Sequence, residues 1–304
     1  MTITIYERAA LEELDSRLKM VLPEEYQESY EDVQPVSMGS APLKYGADGH
    51  VAWDQMWDSF CDLAMAGGPP HKGVLLEPAS REEIDARPDR YEEVVDEIRR
   101  GITLATDLST AASPHPGWCQ VGCLSDTMAL WLLRAIVMEN VSAQVEGRWL
   151  DLPAGPAFRL EKEIKNVITV IAKTCHYWLG HMSQSQKLAI GDFFRALAKE
   201  SPLITSGAAD DEPNQAAPAL AERIHRETGL RASPHRYTGW HGVECATVRG
   251  AIWMMRALVV SNVLARREGT VLFVPVNASS DSNERVAATL SRIHHLASLR
   301  NVLA

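Results

Sequence analysis

Hydrophobic residues recur at spacings of three and four along much of the N-terminal third of the chain, which is the pattern of amphipathic helices. This periodicity predicts helices over residues 5–20, 52–66 and 80–101. Ser80 followed by Glu83 forms the sequence signature of a capping box, which places the start of the third helix. The short apolar run Val74–Leu76 predicts a strand. We therefore expect residues 1–105 to be a mostly helical N-terminal extension with one short strand, and an alternative interpretation is a degenerate third copy of the repeat described next.

A longer pattern of apolar and polar positions occurs twice. The segment from Gly117 to Pro153 aligns without a gap with the segment from Gly239 to Pro275, and 16 of the 37 positions are identical. Each copy begins with an alternating run typical of a strand and continues with a helical run. Two β-prone runs around Glu-Gly then predict a hairpin, and a second helix follows. We interpret this as an internal duplication of a β-α-β-β-α unit.

The predicted fold class is α/β with a mixed α+β sheet, made of two pseudo-symmetric repeats and the N-terminal extension. The helices of the repeats are predicted over residues 126–139, 159–181, 248–261 and 283–297. Two strands joined through a helix are expected to be parallel with a right-handed crossover. The predicted domain boundaries are 1–105 for the extension, 106–200 for repeat one, 201–220 for a linker and 221–304 for repeat two.

Composition narrows the class of protein. Hydrophobic residues make up 46% and charged residues 23%, as in soluble globular proteins. The net charge of −10 argues against a nucleic acid or an anionic membrane surface as partner. The start of the chain lacks the features of a secretory signal, and the five cysteines are thinly spread, so we expect reduced thiols and a cytoplasmic protein.

The familiar catalytic motifs are absent from the sequence. It contains no GxSxG elbow, no HExxH and no glycine fingerprint of a dinucleotide fold, so the cofactor is unknown. The spacing Cys119-x3-Cys123 is matched by His241-x3-Cys245, which suggests a Cys3His zinc site. Residues four apart in a strand are separated by about 13 Å, however, which is too far for ligands of one ion. We predict no metal site from these residues, and expect buried thiols instead.

Two arginines lie in otherwise apolar helices at equivalent positions of the repeats. Arg134 and Arg256 each need an acceptor if they are buried. The duplicated Glu146 and Glu268, in the hairpin after each helix, are the predicted partners. We expect two structural Arg–Glu pairs that join helix to hairpin, although the two arginines can also be interpreted as lining a site for an anion.

Basic residues in loops and on helix faces are the candidates for chemistry. His115 and His235 each follow a Ser-Pro pair in a loop before a strand, where scaffolds commonly hold functional groups. Lys173 and His176 share one helix face and correspond to Arg292 and His295 in repeat two. His71 and Lys72 lie in a rigid glycine- and proline-rich loop. The predicted catalytic residues are His115, His176 and Lys173; the predicted ligand-binding residues are His71, Lys72, His235, Arg292 and His295. For each of these sets a turn or a solvated polar face is the simpler explanation.

The function predicted on this basis is binding of a small anionic ligand between the two repeats. If the protein is an enzyme, its reaction is unidentified and relies on His/Lys acid–base chemistry. The alternative is a non-catalytic accessory, assembly or scaffold protein, since eight tryptophans provide residues of the type that anchors interfaces. Neither a nucleic acid nor a membrane is an expected partner, and a homo-oligomer is left open.

Overall fold

The computed structural model describes residues 3–28, 42–55, 63–68, 70, 73–206, 216–235 and 237–303. The chain divides into two compact units. The first, here called the split unit, combines Met1–Glu31 with Ser185–Ala304. The second, the central unit, spans Asp32–Gln184. The two sequence repeats therefore lie in different units, and the N-terminal residues are grouped with repeat two.

Helices account for most of the regular structure. In chain order they are α1 (Ile5–Val21), α2 (Arg81–Ala86), α3 (Pro88–Thr106), α4 (Asp126–Met138), α5 (Lys165–His176), α6 (Gln184–Glu200), α7 (Ala216–Thr228), α8 (Val248–Val259) and α9 (Ser280–Leu299). Wider π-helical turns, Leu160–Ile164 and Tyr177–His181, flank α5. The helices predicted in the two repeats are confirmed, as is the N-terminal helix. Helices α6 and α7 were not anticipated.

Capping explains where several helices begin. Thr4 and Glu7 form a capping box at the start of α1, and Ser80 and Glu83 form the predicted one at the start of α2. The predicted helix over residues 80–101 is interrupted at Arg87, because Pro88 lacks a backbone N–H and is suited to the first position of a new helix. The chain therefore starts α3 there.

The predicted helix over residues 52–66 is corrected at its described ends. Trp53–Gln55 and Ala64–Ala66 are single 3-10 turns, and residues 56–62 lie outside the described residues. The predicted strand Val74–Leu76 is also reduced, since it contributes one parallel bridge between Leu76 and Val141.

In the residues that the structure describes, each unit has one four-stranded sheet. The central unit contributes β1 (Ser109–Ala112), β2 (Trp118–Gly122), β3 (Gln144–Glu146) and β4 (Trp149–Pro153); the split unit contributes β5 (Arg231–Ala232), β6 (Trp240–Glu244), β7 (Arg266–Glu268) and β8 (Val271–Pro275). The strand orders are β1-β2-β4-β3 and β5-β6-β8-β7. Trp118 pairs with Pro153 in one sheet, and Trp240 pairs with Pro275 in the other. The order and the register therefore correspond in the two sheets.

The coarse class, a mixed α+β protein, is confirmed, but the prediction that each sheet mixes parallel and antiparallel pairs is wrong. Every paired strand in the two sheets is antiparallel to its neighbours. Strands β2 and β3 both run opposite to β4, so they point the same way, yet β4 lies between them. The reason is burial: β4 is almost entirely buried and takes the central place beside β2, while the shorter and more exposed β3 forms the edge.

The inner face of each sheet is apolar. In the central unit Cys119, Val121, Leu150 and Leu152 alternate with residues of the other face and have no exposed area. Asn140 and Asn262, in the left-handed conformation, end the turns that follow α4 and α8. Their carbonyl oxygens accept the N–H groups of Leu76 and Ile204, so each unit connects an outer segment to its helix end in the same way.

Candidate functional site

Lys173, predicted to be catalytic, is completely buried within the central unit. Its Nζ lies 2.6 Å from Oε1 of Glu139, which is equally buried. The same Oε1 accepts the backbone N–H of Ala64 at 2.9 Å. Glu139 directly follows α4, so this ion pair joins α4 to α5 inside the core. The Lys173 ammonium therefore points to the buried carboxylate of Glu139, which is the arrangement of a structural ion pair.

The predicted histidines and the remaining basic residues are spread over several elements. His115 and His235 are exposed, and each donates its backbone N–H to the hydroxyl of the serine two residues earlier, at 3.1 and 3.2 Å. Arg292 and His295 are exposed on α9, and His295 Nε2 lies 2.8 Å from Glu7 Oε1. His71 and Lys72 lie outside the described residues. The joint basic cluster predicted from these residues therefore stays a prediction.

His176 is exposed at the end of α5, where its ring meets that of His181. The two Nε2 atoms are 3.0 Å apart. The ring of Tyr177 lies 4.9 Å from the ring of His181, measured between centroids. His176 thus belongs to a pair of imidazoles on the π turn, rather than to the pairing with Lys173 suggested by their shared helix face.

The predicted Arg–Glu pairs are corrected. Arg134 is buried and donates from Nη1 to the carbonyl oxygen of Leu130 in its own helix at 2.9 Å, while Glu146 is exposed. Burial lowers the pKa of the Arg134 guanidinium. Glu268 forms its ion pair with Arg266, at 2.7 Å, and not with Arg256. Residue Arg266 lies two positions before the glutamate on the same strand, where alternation puts both side chains on one face.

The strongest candidate site is a row of polar residues on the outer face of the central-unit sheet. In the register, Asp151 of β4 is opposite Gln120 of β2 on one side and Gln144 of β3 on the other. Directly opposed residues of antiparallel strands point to the same face with closely spaced Cβ atoms. We call these three residues the Gln-Asp-Gln row.

Asp151 is the chemically distinctive member of the row. Its side chain belongs to a residue that is only 5% exposed. Oδ2 accepts a hydrogen bond from Gln144 Nε2 at 3.0 Å, whereas the buried Oδ1 has no hydrogen-bond partner among the described residues. Leaving a buried acceptor without a donor costs about 1–3 kcal/mol.

Two tryptophans on the same face flank this row. Trp149 precedes Asp151 by two residues, about 7 Å along β4, and Trp118 lies opposite Pro153 beyond the row in the other direction. Both indoles are partly exposed. A side chain on Gly122 would come within 3.0 Å of the Trp149 ring, so the glycine leaves room for that ring to lie over β2. The face therefore combines an unpartnered acceptor with aromatic surfaces.

Burial also affects the thiol behind this face. Desolvation raises the pKa of Cys119 to about 12, with Arg99 opposing the rise and Asp151 adding to it. Burial raises the pKa of Cys123 and Cys245 to about 12 as well. The expectation of buried thiols is confirmed for the four cysteines described. Since the thiolate is the nucleophile and the metal ligand, such pKa values make these groups unreactive near neutral pH.

The split unit has different residues at the positions equivalent to the row. The register pairs Phe273 with Gly242 and with Arg266, in place of Asp151 with its two glutamines. Arg266 is fully buried, and its guanidinium carbon lies 4.0 Å from the ring centroid of Phe273 and 4.3 Å from that of Tyr237. These are cation–π distances. One sheet thus shows a polar, unsatisfied face, and the other an arginine enclosed by aromatic rings.

The sequence analysis singled out neither feature, because it selected basic residues in loops and on helix faces as the candidates for chemistry. A signal was available, since Asp151 interrupts an apolar strand at a position where the other repeat has Phe273. The burial of Asp151, and the absence of a donor for Oδ1, could be found only from coordinates.

Comparison with known proteins does not identify the chain: no family model, curated protein or solved structure matches it. In the part of the chain that the structure describes, no group of three or more His, Cys, Asp or Glu side chains is arranged to hold a metal ion. Likewise, none of the described helices combines the length and apolar character needed to cross a bilayer.

Proposed function

We propose that the protein binds a small polar ligand on the outer face of the central-unit sheet, through the Gln-Asp-Gln row. The observation that carries this proposal is the buried Oδ1 of Asp151, which has no donor among the described residues, while Gln144 donates to the other oxygen of the same carboxyl group. A ligand hydroxyl or ammonium group would supply the missing hydrogen bond and remove the cost of the unsatisfied acceptor.

The surrounding residues support the same class of ligand. Gln120 offers an amide donor and acceptor beside the carboxyl group, and the indole of Trp118 offers a face on which a sugar ring or an alkylammonium group can lie. The Arg148 guanidinium already lies over the Trp149 ring, 5.4 Å from its centroid. Small-ligand sites commonly combine aromatic surfaces with a few polar groups that orient the ligand. A hydroxylated or amino compound fits this set of groups better than an anion does, because the central group is an acceptor.

The equivalent face of the split unit supports a specialised role for this row. We infer that the two sheets, with their common order and register, descend from one ancestral unit. In that case the central unit has the Gln-Asp-Gln row at the positions where the split unit has the packed cluster of Arg266 and aromatic rings. The second copy has Phe273 in place of Asp151, so a purely structural need for a carboxylate at this position is not shared by it.

The test is a binding screen with matched variants. We expect calorimetry or thermal shift to find binding among monosaccharides, polyols or small amines for the wild type, and loss of that binding in Asp151→Asn and Asp151→Phe. The second variant copies the residue of the other repeat and is expected to fold. Gln184→Ala, an exposed substitution away from the sheet, is the control. Binding of donors that persists in both Asp151 variants would contradict the proposal.

The same screen addresses the functions predicted from the sequence. Small carboxylates and phosphates are included because an anionic ligand was predicted, and their binding with full strength in the Asp151 variants would favour a different site. Native mass spectrometry of the purified protein distinguishes a bound small molecule from a protein partner, which is the accessory or scaffold alternative. No reaction step is assigned to these residues.

A further inference from the structure

The end of α5 brings together two histidines that are five residues apart. In a regular α-helix, residues five apart point about 140° away from each other around the axis. The π turn Tyr177–His181 is wider, since its hydrogen bonds run between residues five apart, and such turns often occur at functional sites. His176 and His181 therefore project from the same side, with His176 exposed and His181 partly exposed.

The separation of the two rings resembles that of two ligands on one metal ion. The Nε2 atoms are 3.0 Å apart. Metal–nitrogen bonds of about 2.05 Å at a right angle put two nitrogen atoms about 2.9 Å apart, whereas a tetrahedral angle puts them about 3.3 Å apart. Right angles between neighbouring ligands belong to square-planar and octahedral ions such as Cu(II) and Ni(II). The observed spacing is closer to this geometry than to that of tetrahedral zinc.

We propose that His176 and His181 form a binding site for Cu(II), with Ni(II) bound more weakly, in which the protein supplies two imidazole ligands. The remaining coordination positions are filled by water or by a small molecule, since the described residues place no third His, Cys, Asp or Glu ligand in such a group. This proposal is independent of the Gln-Asp-Gln row.

The chemistry of the metal-free pair is compatible with this role. One ring donates its Nε2–H to the unprotonated Nε2 of the other. Binding of the ion requires a lone pair on both Nε2 atoms, so the donor ring carries its proton on Nδ1 instead. The number of protons on the pair is unchanged, and the ion lies to one side of the line between the two Nε2 atoms, about 2.05 Å from each. Tyr177, stacked near His181, helps to fix the orientation of that ring.

The proposal is tested by calorimetric titration of tag-free protein with CuCl2 and NiCl2. We expect one Cu(II) per chain, bound more tightly than Ni(II), in agreement with the usual order of affinities. His176→Gln and His181→Gln should each weaken binding at least about tenfold, since even outer-shell partners commonly contribute that much. His50→Gln, which changes an exposed loop histidine that belongs to neither proposed site, is the control. Circular dichroism verifies that each variant is folded.

Electron paramagnetic resonance of the Cu(II) complex provides a second readout. Two imidazole nitrogens should couple to the copper in the wild type, and one in each variant at the pair. The proposal is overturned if both variants bind copper as tightly as the wild type, or if the control loses as much affinity as they do. It is equally overturned if the wild-type spectrum shows no coupling to two nitrogens.

Discussion

Replacement of Lys173 by methionine tests whether its charge serves the fold or the chemistry. Lys173 and Glu139 are both fully buried, and 2.6 Å separates the ammonium nitrogen from the carboxylate oxygen. Methionine keeps most of the volume of the side chain but removes its charge. Glu139 then retains the N–H of Ala64 as a donor, while the cation that faced it is lost.

The expected cost is large because one charge of a buried pair remains. Removing one partner of such a pair typically destabilises a protein by about 3–5 kcal/mol. In a unit of this size each kcal/mol lowers the melting temperature by about 2–4 °C, so the fall should be on the order of 10 °C. Loss of both charges in Glu139→Gln/Lys173→Met should recover part of this stability, since the uncompensated carboxylate is then absent.

Urea unfolding followed by far-UV circular dichroism measures these differences. The matched control is Lys162→Met, which alters an exposed lysine on the π turn before α5 and should change the free energy of unfolding by no more than about 0.5 kcal/mol. A Lys173→Met protein within about 1 kcal/mol of the wild type would refute the reasoning. Such a result would revive the sequence-based prediction that Lys173 takes part in chemistry.

Three further predictions concern other charged and ionisable groups. Burial raises the pKa of the Cys119, Cys123 and Cys245 thiols from 9.0 to about 12. Their contribution to stability is therefore full below pH 9.0 and is lost as the pH rises towards 12. Urea unfolding at several alkaline pH values should show a smaller loss of unfolding free energy in Cys123→Ala than in the wild type. Hydrogen bonds from Thr4, and then from His295, lower the pKa of Glu7 from 4.5 to about 2. Its contribution is therefore present above pH 4.5 and lost between pH 4.5 and 2, and an NMR titration should show a higher Glu7 pKa in Thr4→Ala. Arg266→Lys should lower the free energy of unfolding by about 1–3 kcal/mol in urea, because a lysine ammonium cannot reproduce the stacked guanidinium; an effect under 0.5 kcal/mol would contradict the cation–π interpretation.

Local signals in the sequence predicted much of the secondary structure. Periodicity located α1, α4, α5, α8 and α9. The Glu-Gly pair at the centre of each β-prone segment located the hairpin, and its glycine, Gly147 or Gly269, has a positive φ. These elements depend on interactions between residues close in sequence, such as capping and the alternation of buried positions. The correspondence between residues 117–153 and 239–275 was likewise evident from the sequence, and it anticipated that the two sheets would have the same order.

Strand pairing was not determined by local signals. The prediction of a mixed sheet failed because β4, and not β3, is the strand with enough buried area to lie beside β2, so the two strands that point the same way are not paired. The break at Arg87 shows a similar limit, since a proline can either kink a helix or start a new one.

The candidate sites needed the tertiary structure for a further reason. The sequence shows that Lys173, Glu139 and Asp151 are ionisable. The free-energy cost of burying each charge, however, depends on which side chain or backbone group packs against it in the folded protein. The Lys173 ammonium pairs with the carboxylate of Glu139, which lies in a distant part of the sequence, so its charge is used within the fold. Within the described part of the chain, Asp151 accepts a hydrogen bond on one oxygen, from Gln144, and its other oxygen has no donor. The sequence by itself therefore determined the local helices and hairpins through the periodicity of its residues. Which charges of distant segments face each other was decided only by the packing of the folded chain.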